Sequence, residues 1–132
     1  MAEARLDASH TLPKRERLQR GHQFRSVYER GQKFEGRITV LYVLDRPPEP
    51  PGQDAVAGRT VGVVASRKVG GAVVRSRARR LLREAYRLNK QKLKTNLQIV
   101  MIARSAINGK RLQDVEADLL RQFRAAGVLN ET

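Results

Sequence analysis

The sequence predicts an α+β fold, a small two-layer sandwich in which helices pack on one sheet. Three observations predict it. Short Val- and Ile-rich runs read as strands, and two longer segments carry apolar residues at helical spacing. At 132 residues, 40% of them apolar, the chain has material for one core of ordinary size. The expected order is helix-strand-strand(-strand)-helix-strand-helix.

Residues 1–12 show no period and read as a flexible N-terminal tail ahead of a single domain over residues 13–127. Phe24, Val27 and Tyr28 fall on one side of a short helix, and Gly31 is a stop for it. Ile38–Leu44 reads as a strand because β-branched and aromatic residues dominate it. Alternation places Ile38, Val40, Tyr42 and Leu44 on one face and Thr39, Leu41 and Val43 on the other. Residues 46–58 read as a Pro-rich loop, since Pro47, Pro48, Pro50 and Pro51 cannot sit in a central strand. Thr60–Ala65 is a second Val-rich strand.

A long helix is expected from about Ala72 to about Lys94. Leu97–Ala103 is almost continuously apolar, the pattern of a strand covered on both faces. Asn108-Gly109 marks a turn. Arg111–Ala126 closes as a helix with Leu112, Val115, Leu119, Phe123 and Ala126 on its apolar side and Gly127 as its cap. Residues 128–132 are left as a C-terminal tail.

Charge narrows the function. The 27 Lys and Arg against 13 Asp and Glu leave a net charge of +14, which gathers polyanions. Nucleic acid is the default partner, and an anionic membrane surface is the competitor. No cysteine is present, which excludes disulfides, thiolate metal sites and a thiol nucleophile. No run approaches the ~18 apolar residues of a membrane span. The first 20 residues lack the apolar middle of a signal peptide. A soluble cytoplasmic protein with no membrane partner is expected. His10 and His22 have no partner at metal or triad spacing, and the acids form no ligand cluster. No catalytic residue and no metal site are therefore expected in the protein itself. Asp114 and Asp118 share one side of the last helix and read as a solvated face.

The long helix carries the argument. At 100° per residue, Val74, Ala78, Leu81, Leu82, Ala85 and Leu88 fall within an arc of roughly 120°, the expected packed stripe. Arg75, Arg79, Arg80, Arg83, Arg87, Lys90 and Lys94 fall on the opposite side, with Ser76 and Tyr86 among them. Glu84 lies at the margin, and Arg77 toward the other edge. Like charges four apart destabilise a lone helix by a few tenths of a kcal/mol per pair. Such a row makes sense where an external polyanion neutralises it, and the planar guanidinium grips phosphate oxygens in two bonds. Gly70 and Gly71, just ahead of the helix, allow close approach of backbone to a ligand, a weak signal by itself.

The segment Arg67-Lys-Val-Gly-Gly-Ala-Val-Val-Arg-Ser-Arg-Ala-Arg-Arg-Leu-Leu-Arg-Glu-Ala-Tyr-Arg87 resembles the signature of the bacterial ribonuclease P protein component. That family carries a Lys–x–Gly–x–Ala-Val–x–Arg-Asn-Arg pattern followed by further basic residues. The likeness extends over roughly residues 14 to 126 and includes Leu18 to Gly31, Val40–Asp45 and Ile99–Arg104. Ser76 stands where the family has Asn, and the proline loop is longer than is usual there.

The resemblance implies a ribosomal-protein-S5-domain-2-like fold with a left-handed βαβ crossover. It implies a ribonucleoprotein endonuclease in which the RNA subunit, with Mg2+, hydrolyses precursor tRNA to give the mature 5′ end. The partners it implies are that RNA and precursor tRNA. The RNA-subunit contact falls to Arg67, Lys68, Arg75, Ser76, Arg77, Arg79, Arg80, Arg83 and Arg87. The 5′ leader falls to a cleft with Phe24, Tyr28 and Tyr42. Read without the resemblance, those aromatics serve equally as core. A general RNA-binding or ribosomal protein is the alternative that the basic face also allows, and a DNA-binding architectural protein is a third.

Overall fold

The computed structural model describes residues 17–18, 21–45 and 59–130. The expected N-terminal tail (1–12), the Pro-rich loop (46–58), His10 and the His22 side chain lie outside them. The elements are α1 (Gly21–Arg30), β1 (Gln32–Glu35), β2 (Thr39–Asp45), β3 (Arg59–Val64), α2 (Ala72–Asn89), β4 (Leu97–Ala103) and α3 (Leu112–Ala126). Single 3-10 turns follow α2 at Lys90–Lys92 and β4 at Ser105–Ile107.

The strands form one sheet in the order β1-β2-β4-β3. β2 runs antiparallel to both β1 and β4, while β3 runs parallel to β4. β3, α2 and β4 are therefore the crossover unit. β4 lies inside the sheet, which accounts for its nearly unbroken apolar run: five of its seven residues are buried.

The pleat sends the two sets of strand residues to different neighbours. Leu41, Val43, Val61, Leu97, Ile99 and Met101 join residues of α2 and α3 in the main core. Leu44 and Val100 point the other way and join Leu18 and Val27 in a smaller cluster beneath α1. Burying each such side chain contributes roughly 1.5–3 kcal/mol. The sheet with α2 and α3 is the expected two-layer body, and α1 covers part of the opposite face.

Five details differ from the sequence reading. First, β1 is a short edge strand whose only half-buried residue is Phe34. Its otherwise polar composition hides it from a hydrophobicity pattern. Second, Ile38 precedes β2 and joins the main core, whereas Tyr42 packs on the α1 side. The bend before Thr39 breaks the alternation there.

Third, α2 ends at Asn89, and Lys90 sits buried in the 3-10 turn instead of on the basic face. Fourth, the packed stripe of α2 is Ala78, Leu82, Ala85, Tyr86 and Asn89. It is rotated by roughly 40° from the expected one. Tyr86 is fully buried, while Val74 and Leu88 are exposed. Fifth, residues 128–130 do not trail off as a tail. Val128 is buried, Leu93 and Leu129 form an antiparallel bridge, and Lys94 N–H donates to the Val128 carbonyl at 2.8 Å.

Asp118 is also corrected. Instead of lying on a solvated face, it is 2% exposed and ties α3 to the turn between β1 and β2. Its carboxylate accepts hydrogen bonds from the backbone N–H groups of Arg37, Ile38 and Thr39 at 3.0–3.3 Å and from the Thr39 hydroxyl at 2.9 Å. Gln122 Nε2 adds another at 3.1 Å and Arg121 an ion pair at 3.1 Å. A Cβ at Gly36 would overlap the Asp118 and Gln122 side chains, so only glycine lets the turn approach this closely. Asp114 stays exposed and accepts the Arg111 N–H at 2.9 Å, capping the start of α3. Gly127, at φ 73°, ends that helix in the left-handed conformation.

Candidate nucleic-acid interface

Rotating the buried stripe toward Tyr86 changes what each arginine of α2 does. Arg75 and Arg79 border the packed face and are half-buried. Ser76, Arg80 and Arg83 stand exposed. Arg79, Arg80, Arg83 and Ser76 line an open groove of about 400 Å3 together with Arg17, Glu84 and Arg87. Arg17 is the residue that sequence reasoning missed. It reaches the groove because the N-terminal segment pairs in parallel with Val61 on the outer edge of β3, where Leu18 N–H donates to the Val61 carbonyl at 2.8 Å. Periodicity within α2 carries no signal for a partner delivered from another segment.

The electrostatics of the groove are one-sided. Glu84 accepts a two-pronged ion pair from Arg87, with contacts of 2.8–3.2 Å. Among the described residues, no carboxylate lies within ion-pair distance of Arg75, Arg79, Arg80 or Arg83. Arg79 Nη2 donates only to the Ser76 hydroxyl, at 3.4 Å. Arg75 Nε is buried without a hydrogen-bond partner. Arg83 feels the crowding: desolvation, then the charges of Arg17 and Arg79, push its pKa below the usual arginine value. A phosphate placed here would relieve this repulsion and supply acceptors.

The other predicted basic residues separate in space. Arg77 turns to the far edge of α2, where Nη2 donates to the Lys110 carbonyl at 2.9 Å. Arg67 and Lys68 lie exposed on the turn between β3 and α2. Lys68 N–H bonds the Ser66 hydroxyl at 3.3 Å. That turn precedes an α2 N-terminus without a side-chain cap, and no acid stands in the first helical turn. Lys94 is exposed beyond the helix.

The aromatic trio does assemble, on the face of the sheet that α1 partly covers. Tyr28 and Tyr42 meet edge to face, with ring centroids 4.9 Å apart and planes at 81°. Lys33 Nζ lies 5.9 Å from the Tyr42 ring centre, because Lys33 pairs with Tyr42 across the β1–β2 ladder. Burial, and then the neighbouring Tyr42, raise the Tyr28 phenol above its usual 10.0. Phe24 packs against Gly62, where any Cβ would overlap its ring. Tyr28 is thus open to a partner, Tyr42 half-open, and Phe24 contributes more to the floor than to the surface.

Among the described residues, no three His, Asp or Glu side chains gather as a metal site. No described helix is long and apolar enough to cross a membrane.

The chain has relatives among known proteins. A family model described as Ribonuclease P matches residues 12–127. The ribonuclease P protein component of Clostridium acetobutylicum is 40% identical over 116 residues, covering 88% of this chain and 92% of that protein. The one from Clostridium perfringens is 40% identical over 111 residues, covering 84% and 88%. Among solved structures, the RNase P protein of Staphylococcus aureus has the same fold, with a TM-score of 0.71 at 23% identity over 87% of this chain and 98% of that one. The RNase P protein of Thermotoga maritima gives a TM-score of 0.65 at 25% identity over 80% and 93%. With a family match spanning nearly its whole length, this chain belongs to the ribonuclease P protein family.

Proposed function

We propose that this protein is the protein subunit of ribonuclease P and acts in maturation of the tRNA 5′ end by binding two RNAs at once. The basic groove of α2 docks on the RNA subunit. The aromatic cleft receives the 5′ leader of precursor tRNA. Hydrolysis is the work of the RNA subunit with Mg2+, and the protein holds the substrate strand in place.

One observation carries this reading. Arg75, Arg79, Arg80 and Arg83 share a helix with no carboxylate in reach among the described residues. Such a face is completed by phosphate, and counterion release then favours association. The cleft adds exposed aromatic edges beside Lys33, the combination that binds single-stranded RNA by stacking, at ~1–3 kcal/mol per base.

The test is reconstitution. Precursor tRNA is incubated at low Mg2+ with a bacterial ribonuclease P RNA, with and without this protein. Cleavage at the mature 5′ end that requires both components is expected. No rescue of the RNA by the protein would reject the proposal. Equal binding of ribosomal RNA or duplex DNA without any effect on cleavage would point to a general nucleic-acid binder instead.

A further inference from the structure

A second basic groove lies at the opposite edge of the sheet from α2's arginine row. It encloses about 930 Å3, and its lining includes Lys33, Phe34, Arg37, Arg104, Arg121 and Gln122. Four cations thus converge from β1, the β1–β2 turn, the end of β4 and α3. Two carboxylates are nearby, and neither closes the groove. Glu35 is well exposed and reaches Lys33 at 4.0 Å and Arg104 at 3.6 Å, both long contacts. Asp118 is buried and already saturated by the turn N–H groups, the Thr39 hydroxyl, Gln122 and Arg121. The Arg37 side chain is exposed and has no partner among the described residues.

This groove is continuous with the aromatic cleft through Lys33. That side chain stands over Tyr42 on one side and lines the groove on the other. The topology gives the connection a direction. Arg17 and the row on α2 lie beside β3, one outer strand, whereas Lys33 belongs to β1, the other. With the RNA subunit docked at the β3 edge as proposed above, a strand that enters the cleft from that side would cross the sheet past Tyr42 and leave at the β1 edge.

We infer that the distal, upstream part of the precursor's leader turns around β1 at Lys33 and lays its phosphates along Arg37, Arg104 and Arg121. This rests on the leader-binding reading of the Tyr28–Tyr42 cleft. It adds a second phosphate-binding stretch whose ligand is single-stranded RNA backbone. Phe34, half-buried at the groove wall, offers a ring edge to a base. Contacts there are to phosphate, so affinity depends on leader length more than on leader sequence.

The experiment uses the full chain and two precursor tRNAs that differ only in leader length. One leader is short enough to end in the aromatic cleft, and the other is extended by about 10 nucleotides. The extension is expected to tighten wild-type binding by roughly threefold to tenfold and to steepen its salt dependence. Arg37→Glu, which breaks no side-chain hydrogen bond of the described structure, should abolish that gain while leaving the short-leader precursor as tightly bound as before. Arg104→Ala combined with Arg121→Ala should do the same.

Retention of the gain in Arg37→Glu, or equal weakening of both precursors, would assign the groove to another occupant and overturn the inference. The leader-binding reading survives that result. It fails only if wild-type protein does not distinguish a short-leader precursor from mature tRNA, and the inference then falls with it.

Discussion

Arg87 and Glu84 form a two-pronged ion pair on the exposed side of α2, with nitrogen–oxygen contacts of 2.8–3.2 Å. One turn earlier, desolvation and then the charges of Arg17 and Arg79 disfavour the Arg83 cation. On the proposed docking, the two arginines are therefore expected to enter RNA binding differently: Arg87 exchanges a partner, and Arg83 gains one.

Glu84→Gln tests that difference. Removing the carboxylate removes the group that competes with phosphate for Arg87, so affinity for the RNA subunit should rise and the salt slope steepen by up to about one unit. The loss to helix stability should stay near 0.3–0.5 kcal/mol, as for other partly exposed helical pairs. Filter binding across a salt series checks it. Weaker binding by Glu84→Gln would show that the pair itself orders the interface.

Arg83→Ala should separate binding from stability. RNA affinity should fall roughly uniformly across sequences, and the salt slope should drop by about one. Thermal stability should hold or rise by a few tenths of a kcal/mol, since repulsion with Arg79 is relieved. A marked loss of stability would mean that Arg83 is structural.

Tyr42→Ala should weaken binding of precursor tRNA by roughly 1–3 kcal/mol while sparing mature tRNA. Equal loss for both would make Tyr42 merely core. The raised Tyr28 pKa adds a pH expectation. A raised phenol favours the neutral ring in the folded state, so its contribution is present below the unfolded value of 10.0 and lost as pH climbs past the folded one. Leader discrimination should therefore stay flat from about pH 6 to 9. A step in that window would trace to another group.

Asp118→Ala should be the damaging change away from the α2 groove. It leaves three backbone N–H groups and the Thr39 hydroxyl without their acceptor. A loss of about 2–4 kcal/mol in urea unfolding is expected. The folded fraction should keep the wild-type salt slope for the RNA subunit, whose contacts lie on α2. A stable variant would show that water replaces the carboxylate.

The fold was legible where residues report on their own neighbourhood. Leu97–Ala103 announces a covered strand, and Gly127 a helix end. What escaped depends on distant partners. Nothing near Asp118 signals that the Thr39 turn, 79 positions away, supplies its hydrogen bonds. Tyr86 and Asn89 look polar on a helical wheel, yet they face the core, where Asn89 bonds Glu116 of α3 at 2.8 Å. That error rotated the packed stripe. The row of arginines survived it because charge on α2 spans a wide arc. Arg17 escaped for the reason Asp118 did: its place is set by Val61.

The central claim is that phosphate completes the guanidinium row of α2. It is tested most directly by measuring how affinity for the RNA subunit varies with salt, for wild type and for a variant with Arg75, Arg79, Arg80 and Arg83 all changed to Ala. The slope of log affinity against log salt is expected to shrink by about three to four units in a variant that remains folded. An unchanged slope would contradict it.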